Sequence, residues 1–249
     1  MRKNTVKLAL AEGKLQLGTG FGQLRSQEIA TILAAAGFHW AFLDTEHGGF
    51  DLETVQDICR LAVMVGLSPI VRVADLQYSL IARALDCGAQ GVIFPRVESP
   101  ELLQKAISWT KFPPLGIRGY GLGPVNVDYE KADFPQVIEH MNANTMVVMQ
   151  IETRRALDMR EELLAVPGVD AVMVGPADLS ISLACPVNFS IPRWSRRWKP
   201  FATPASAAAL LRARRRARRP WRVSGRSGAC AFSAAATTSA CCSSALPSW

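Results

Sequence analysis

The chain has 249 residues and a formal net charge of +7, but the charge is divided between two unlike segments. Residues 1–189 contain 16 Lys and Arg against 21 Asp and Glu, whereas residues 190–249 contain 12 basic residues and no acidic residue. No apolar run approaches the roughly 18 residues of a spanning helix, and the N-terminus lacks the apolar centre of a secretory signal. We therefore expect a soluble, cytoplasmic protein and interpret the two segments separately.

Residues 1–189 alternate short apolar runs with helical periodicity. The strand candidates in chain order are LQLGTG at 15–20, WAFLD at 40–44, PIVRV at 69–73, GVIFP at 91–95, MVVMQIE at 146–152 and DAVMVG at 170–175. Helical periodicity covers 26–37, 51–66, 76–88, 99–110, 128–143 and 153–166, with Asp51 as a candidate N-cap. Continuously apolar strands are typical of a parallel sheet between helices. The pattern predicts an α/β fold with six βα units and favours a TIM-type (β/α)8 barrel over an open sheet.

Two other patterns in the sequence exclude common classes of site. The six cysteines have no CxxC spacing, which argues against zinc and against a disulfide framework. Two glycine clusters, at 18–22 and 119–123, lack the GxGxxG spacing of a dinucleotide site. We therefore expect neither a zinc centre nor a nucleotide cofactor.

Polar groups follow the apolar strands where each strand ends. They are Asp44-Thr45-Glu46-His47, Arg72, Pro95-Arg96, Gln150-Ile151-Glu152 and Gly175-Pro176-Ala177-Asp178. In a βα barrel these ends open on the same face, where active sites are built. The sequence therefore predicts one shared site.

Glu152 and Asp178 end consecutive strands, so their carboxylates are expected to be neighbours at the rim of the barrel. Two such groups repel unless they pair with cations, share a proton or bind a metal, and oxygen ligands suit Mg²⁺ or Mn²⁺. The alternative is that each carboxylate caps a following helix. The turn at 175–177 is similarly open to two interpretations, as an anion site of backbone N–H groups or as an ordinary helix start.

Arg72 and His47 are the other candidates for chemistry. A guanidinium after an apolar strand either stabilises a developing enolate or alkoxide or forms a structural ion pair. His47 lies three residues after Asp44, which could orient the imidazole and leave its other nitrogen as a base; the alternative is a buried, satisfied histidine. Glu46 has no assigned role.

With these motifs in place, residues 1–189 resemble the HpcH/HpaI family of class II aldolases. The resemblance is carried by LDTEHG at 43–48, VR at 71–72, PPLGIRG at 113–119, QIETR at 150–154 and GPADLS at 175–180. It implies a (β/α)8 barrel that cleaves a 4-hydroxy-2-oxo acid to pyruvate and an aldehyde with a divalent ion, Mg²⁺, Mn²⁺ or Co²⁺. It also implies a homo-oligomer, assembled partly through the C-terminal region.

The resemblance also assigns roles to individual residues. Glu152 and Asp178 would be metal ligands, and Gln150 would lie beside the substrate. Arg72 would stabilise the enolate, and His47 with Asp44 would act as base. The backbone of Gly175, Pro176 and Ala177 would hold the substrate carboxylate. One departure is Gly20-Phe21, where many members have Trp. An alternative hypothesis is that the chain is a CoA-thioester lyase of the citrate lyase β type.

The resemblance stops near Ser190, and we divide the chain into an aldolase domain at 1–189 and a basic, low-complexity, disordered tail at 190–249. RARRRARRPWR suggests a basic arm for nucleic acid or a membrane, and thus a non-catalytic nucleic-acid binder. We favour out-of-frame reading of a GC-rich gene, because Arg, Ala, Ser, Pro, Trp and Cys occur there without any acid. No run of β-branched residues predicts a strand in the tail, so a six-stranded barrel would leave two open edges.

Overall fold

The computed structural model describes residues 1–184 and the strand Ala229–Phe232. Six parallel strands form the sheet: β1 (Gln16–Phe21), β2 (Trp40–Asp44), β3 (Ser68–Arg72), β4 (Gly91–Phe94), β5 (Met146–Ile151) and β6 (Ala171–Val174). A seventh strand, β7 (Ala229–Phe232), pairs antiparallel with β1. The order is β6-β5-β4-β3-β2-β1-β7, so consecutive parallel strands are neighbours, as in a half-barrel.

Helices connect the strands and precede the first one. They are α1 (Thr5–Ala11), α2 (Glu28–Ala35), α3 (Leu52–Met64), α4 (Tyr78–Asp86), α5 (Pro100–Ser108), α6 (Phe134–Asn144), α7 (Arg154–Asp158), α8 (Arg160–Ala165) and α9 (Pro176–Ser182), with a 3₁₀ turn at Pro124–Val127. Side-chain caps begin several of them. Asp51 accepts a hydrogen bond from the Thr54 N–H, as predicted, and Ser99 accepts one from the Leu102 N–H. No helix of the described residues is both long and apolar enough to cross a membrane.

All six predicted strands of the parallel sheet are confirmed, whereas two predicted helices differ from those observed and one observed helix was not predicted. The helix predicted from residue 128 begins at Phe134, because Asp128 and Tyr129 have left-handed φ values of 56° and 58° and Asp133 is the N-cap. The helix predicted at 153–166 is two short helices that meet at Met159. The helix α1 was not predicted.

The strand β7 corrects the expectation that the tail contains no strand. It lies in residues 190–249, and apart from it the predictions for that segment fall outside the described residues. Its sequence, ACAF, has no β-branched residue, so propensity did not predict it. Its pairing uses the backbone edge of β1, which accepts any extended segment of suitable register.

The two faces of the sheet have separate cores. The outer face packs against the helices through residues such as Leu43, Val71 and Val147. The inner face carries alternate residues of the same strands, Trp40, Ile70 and Val148 among them, together with Val6 and Leu10 of α1. The helix α1 therefore closes one end of the half-barrel, the end where the strands begin.

The glycines of β1 make room on the inner face. A Cβ on Gly18 would collide with the Trp40 ring, and one on Gly20 would collide with the Phe42 ring. The two rings stack with their centroids 6.4 Å apart. Gly18 and Gly20 of the first glycine cluster thus have a packing role in a strand.

We call the end closed by α1 the floor. Asn4 is completely buried there and donates to the Gln90 carbonyl, while its own side-chain oxygen accepts from the Lys7 N–H. Lys7 donates to the Thr145 carbonyl and to Asp170, which in turn accepts from the Val147 N–H. The polar groups that start strands β5 and β6 are therefore bonded to α1.

Candidate active site

The carboxyl ends of β2, β3 and β5 bring Asp44, Arg72 and Gln150 to one rim of the half-barrel. Asp44 is in register with Arg72 across the β2–β3 pair. All three residues continue the alternation that places Trp40 and Ile70 on the inner face. The rim therefore collects the predicted site residues above the inner core, at the opposite end from the floor.

Arg72 is held between two carboxylates at the rim. Its Nε donates to Asp44 Oδ1 at 2.9 Å and its Nη2 to Asp44 Oδ2 at 2.5 Å, while Nη1 lies 3.1 Å from Glu46 Oε2. The guanidinium carbon also lies 5.8 Å above the Phe42 ring. The ion pair that the sequence left open as an alternative is therefore present, and it fixes the orientation of the guanidinium fork.

The charge states follow from these contacts. Burial acts to raise the Asp44 pKa, but hydrogen bonds from Arg72 and from the His47 backbone outweigh it, so the pKa is lowered. Burial acts to lower the Arg72 pKa, but Asp44 and Glu46 raise it. The pair is therefore charged at neutral pH.

His47 occupies a different position from the one predicted. Asp44 Oδ1 accepts the backbone N–H groups of Glu46 and His47, at 3.0 and 3.2 Å, and both its oxygens serve Arg72. The carboxylate near the imidazole is Glu46, whose Oε1 lies 3.7 Å from Nε2. The His47 side chain is 63% exposed, so it is neither a buried, satisfied histidine nor hydrogen-bonded through its ring to Asp44.

Glu152 is 2% exposed and does not cap a helix. Its Oε1 accepts the Arg96 backbone N–H at 2.6 Å and its Oε2 accepts the Gln150 side-chain amide, whereas α7 is capped by Thr153. Burial raises the Glu152 pKa, and the negative charges of Glu46 and Asp178 add to the effect. A cation beside this carboxylate would relieve both penalties.

Position 175, beside Glu152, has no room for any residue larger than glycine. A Cβ on Gly175 would lie 2.6 Å from Glu152 Oε2 and 2.7 Å from Gln150 Nε2. Gln150 is 3% exposed, and in the described part of the chain its Oε1 is buried without a hydrogen-bond partner. Gly175 thus preserves the space beside a buried carboxylate and an unsatisfied amide oxygen.

The 175–178 turn supports only part of the predicted anion site. The Gly175 N–H donates to the Ile151 carbonyl, and Pro176 has no N–H. Of the three predicted residues, Ala177 alone keeps an N–H for a substrate carboxylate, since it lies in the first turn of α9. Asp178 is exposed in the same turn and is not a cap, because Gly175 precedes the helix without a side-chain bond.

The donor set fits a hard divalent cation bound by few protein groups. Within the described residues, no cluster of three or more His, Cys, Asp or Glu side chains forms a ready-made metal site. Glu152 and Asp178 remain as a carboxylate pair whose charges interact, beside the unpartnered oxygen of Gln150. Oxygen donors of this number leave coordination positions for water and substrate, as Mg²⁺ and Mn²⁺ sites do.

The glycines at 22 and 48 position the loop that carries Glu46 and His47. A Cβ on Gly48 would overlap the Asp44 carbonyl oxygen and would lie 2.9 Å from the Gly22 Cα. The ends of β1 and β2 can therefore touch only through bare backbone. The second predicted glycine cluster, at 119–123, lies elsewhere, with Gly121 against Asp86 of α4.

A family model described as HpcH/HpaI aldolase/citrate lyase matches residues 20–195. The chain belongs to this family. The resemblance inferred from the five motifs is confirmed, and the match includes every strand-end residue of the rim. The family relationship places the chain among enzymes related to aldolases and citrate lyases.

Similar proteins of this family have aldolase names. The chain is 39% identical over 184 residues to the hydroxypyruvate/pyruvate aldolase of Roseovarius nubinhibens, covering 72% of this chain and 69% of that protein. It is 34% identical over 181 residues to the 4-hydroxy-2-oxo-heptane-1,7-dioate aldolase of Escherichia coli, covering 73% and 68%. The crystal structure of an HpcH/HpaI aldolase from Desulfitobacterium hafniense superposes with a TM-score of 0.72 at 30% identity, covering 81% of this chain and 83% of that one.

Two features of the rim were missed by sequence reasoning. Glu46 pairs with Arg72, although its position beyond the strand gave no sign of where its side chain would point. Arg96 contributes its backbone N–H, which faces Glu152 because Arg96 has a φ of 50°. The sequence Pro95-Arg96 after an apolar strand indicated an unusual backbone conformation, but it did not indicate that the Arg96 N–H would bond to Glu152.

Proposed function

We propose that the chain is a divalent-metal-dependent aldolase that cleaves 4-hydroxy-2-oxo acids to pyruvate and an aldehyde, or forms them in reverse. The observation that carries the proposal is the rim itself. A fixed guanidinium, a buried carboxylate with a raised pKa and an unsatisfied amide oxygen meet where the strands end. Relatives 31–39% identical to the chain have aldolase names, which supports the same reaction class here.

Arg72 would stabilise the oxyanion of the reaction. A guanidinium has five N–H donors. Asp44 takes one from Nε and one from Nη2, and Glu46 faces Nη1. Donors remain on Nη1 and Nη2 for the 2-oxo group, whose oxygen becomes negative as the carbon–carbon bond breaks. Because Asp44 already fixes the fork, little reorganisation is needed when that charge develops.

Glu152 and Asp178 would hold the metal, with Gln150 beside the bound 2-oxo acid. Bound there, Mg²⁺, Mn²⁺ or Co²⁺ would supply a Lewis acid for the pyruvate half of the substrate. The Arg96 N–H and the Gln150 amide keep the Glu152 carboxylate in one orientation. The Ala177 N–H is the remaining backbone donor for the substrate carboxylate.

His47 would act as the base at the mouth of the site. Its imidazole takes the proton of the C4 hydroxyl, the C3–C4 bond breaks, and the electron pair of that bond moves to the C2 oxygen beside Arg72. The aldehyde leaves, and a proton returned to C3 completes pyruvate. Asp44 contributes by fixing Arg72 and the backbone of the His47 turn.

The test is pyruvate release from a 4-hydroxy-2-oxo acid, measured with and without EDTA and after metal is restored. We expect release that EDTA abolishes and Mn²⁺ or Mg²⁺ recovers. A citryl-type CoA thioester in a parallel assay represents the rival lyase. Turnover of the thioester alone, or pyruvate release insensitive to EDTA, would contradict the proposal.

We also propose that residues 1–189 are the catalytic unit and that residues 190–249 arise from a frameshift. The family match ends at residue 195, and every rim residue precedes residue 189. Sequencing the gene tests this, because an uninterrupted frame with natural homologues of the tail would contradict it. We further expect a homo-oligomer, which light scattering on the purified chain measures.

A further inference from the structure

Glu46 is the polar residue of the rim to which the proposed reaction assigns no step. Its side chain is 9% exposed although it lies beyond the end of β2. Oε2 lies 3.1 Å from Arg72 Nη1 and Oε1 lies 3.7 Å from His47 Nε2. One carboxylate therefore reaches both the guanidinium and the imidazole.

Backbone contacts of the loop after β2 hold Glu46 in this position. Asp44 Oδ1 accepts the Glu46 backbone N–H at 3.0 Å, and Gly48 lies against Gly22 with no room for a side chain. Asp44 serves Nε and Nη2 of Arg72, so Nη1 is the nitrogen left to Glu46. The two carboxylates together contact all three nitrogens of the guanidinium.

The contact between Glu46 and Arg72 is an ion pair without a well-aligned hydrogen bond. Among the described residues Oε2 has no hydrogen-bond partner, even though Nη1 is close. Burial raises the Glu46 pKa, and the opposing charge of Arg72 does not offset the effect. A buried carboxylate placed beside a guanidinium and an imidazole is expected where charge moves during a reaction.

We propose that Glu46 is a positioning residue that fixes the Nη1 side of Arg72 and provides the counter-charge for His47 when the imidazole accepts a proton. The proposal rests on the proposed function, because it concerns the proton transfer of that reaction. Glu46 is thus the carboxylate near the imidazole, the position that the sequence analysis gave to Asp44. Asp44 then serves Arg72.

The experiment compares Glu46→Gln, which keeps the shape and removes the charge, with Glu46→Asp, which keeps the charge on a shorter side chain. Glu53→Gln is the matched control, because it removes an exposed carboxylate from the start of α3. Each variant is assayed for kcat and KM of pyruvate release and for exchange of the pyruvate methyl protons in D₂O. Melting temperatures are measured in parallel.

We expect Glu46→Gln to lower kcat and the exchange rate together by roughly 100-fold, the size of effect that a misplaced catalytic group produces, with KM changed less than about threefold. Glu46→Asp should recover part of the loss, and Glu53→Gln should behave as the unchanged chain. The melting temperature of Glu46→Gln should not fall, because the raised Glu46 pKa shows that folding disfavours this charge, and Arg72 keeps Asp44 as its partner.

Two outcomes would overturn the role of Glu46. One is wild-type kcat and exchange in Glu46→Gln. The other is an equal loss in Glu46→Gln and Glu46→Asp that follows a lowered melting temperature, which would indicate packing alone. If the unchanged chain releases no pyruvate, the proposed function itself fails and the role of Glu46 fails with it. If the unchanged chain is active and Glu46→Gln has the same kcat and exchange rate, only the Glu46 proposal fails.

Discussion

The rim and the floor of the half-barrel both contain partly buried charges, but the charges are arranged in opposite ways. At the rim, acidic groups are in excess: the charges of Glu46 and Asp178 both act on Glu152, whereas Arg72 is already paired with Asp44. At the floor, cations are in excess, because Lys7 and Lys111 share the Thr145 carbonyl and Asp170 is their acidic neighbour.

The hydrogen bonding of the two ends differs as much as their charge. Burial lowers the Lys111 pKa to about 7, and the charge of Lys7 adds to the effect. Lys111 Nζ donates to the Asn142 and Thr145 carbonyls, and Lys7 Nζ donates to the same Thr145 carbonyl. By contrast, Gln150 Oε1 and Glu46 Oε2 at the rim have no hydrogen-bond partner among the described residues.

The difference supports the proposal that the rim binds a ligand and the floor contributes to stability. Of the four unpartnered buried side-chain atoms among the described residues, two belong to Glu46 and Gln150 at the rim and two to Arg60 and Arg118. Unsatisfied buried groups cost free energy, and at the rim a bound ligand would compensate for that cost. Active sites of βα barrels lie at the carboxyl ends of the strands, whereas the opposite end serves stability. Substitutions at the two ends should therefore separate activity from folding.

Arg72→Ala should have the largest effect on activity. Removal of a preorganised donor for the oxyanion is expected to lower kcat on the order of 1,000-fold. Arg72→Lys keeps the charge without the fork and should remain far below the unchanged chain. Arg60→Ala on α3 is the control for loss of a guanidinium elsewhere. Steady-state pyruvate release measures all three, and near-normal turnover of Arg72→Ala would remove Arg72 from the mechanism.

His47→Ala should lower kcat by roughly 100-fold, the size expected for loss of a general base. Its side chain is exposed and does not contact Glu152 in the structure, so metal binding should persist. His39→Ala, at the start of β2, is the matched control. Pyruvate release and calorimetric titration with Mn²⁺ are the two measurements, and loss of metal affinity would show that His47 has been assigned the wrong role.

Gly175→Ala should lower activity by roughly 10- to 100-fold by shifting Gln150 and Glu152. The added methyl would lie 2.6 Å from the Glu152 carboxylate. Gly49→Ala is the control, because its added methyl meets only the flexible end of Arg25 at 3.3 Å. Unchanged kcat in Gly175→Ala would mean that the space beside Glu152 is not used.

Lys111→Met at the floor should leave kcat unchanged and alter the pH dependence of stability. Lys111 has a pKa of about 7 when folded and an ordinary value of 10.5, so the unfolded chain binds more protons between these pH values. The contribution of Lys111 to stability therefore rises with pH across this window, by up to about 1.4 kcal/mol per pH unit. Urea unfolding from pH 6.5 to 9.5 measures it. Equal slopes in Lys111→Met and the unchanged chain would contradict the account.

The sequence predicted the residues of the rim better than their contacts. Apolar runs located all six parallel strands, and the positions of Asp44, Arg72 and Gln150 at strand ends predicted that they share one face of the barrel. The prediction that Asp44 contacts the His47 imidazole was wrong. The turn after β2 depends on the backbone contact between Gly22 and Gly48, which no local pattern reveals. Two further elements depended on tertiary structure: α1 buries Val6 and Leu10 only against the inner face, and β7 pairs with a free edge.

The most direct test of the contrast between rim and floor is calorimetric titration of Mn²⁺ into three proteins. They are the unchanged chain, Asp178→Asn at the rim and Asp170→Asn at the floor, each first shown to be folded by circular dichroism. The account predicts that Asp178→Asn loses Mn²⁺ binding, whereas Asp170→Asn binds as the unchanged chain does. Unaltered Mn²⁺ binding by Asp178→Asn would contradict it.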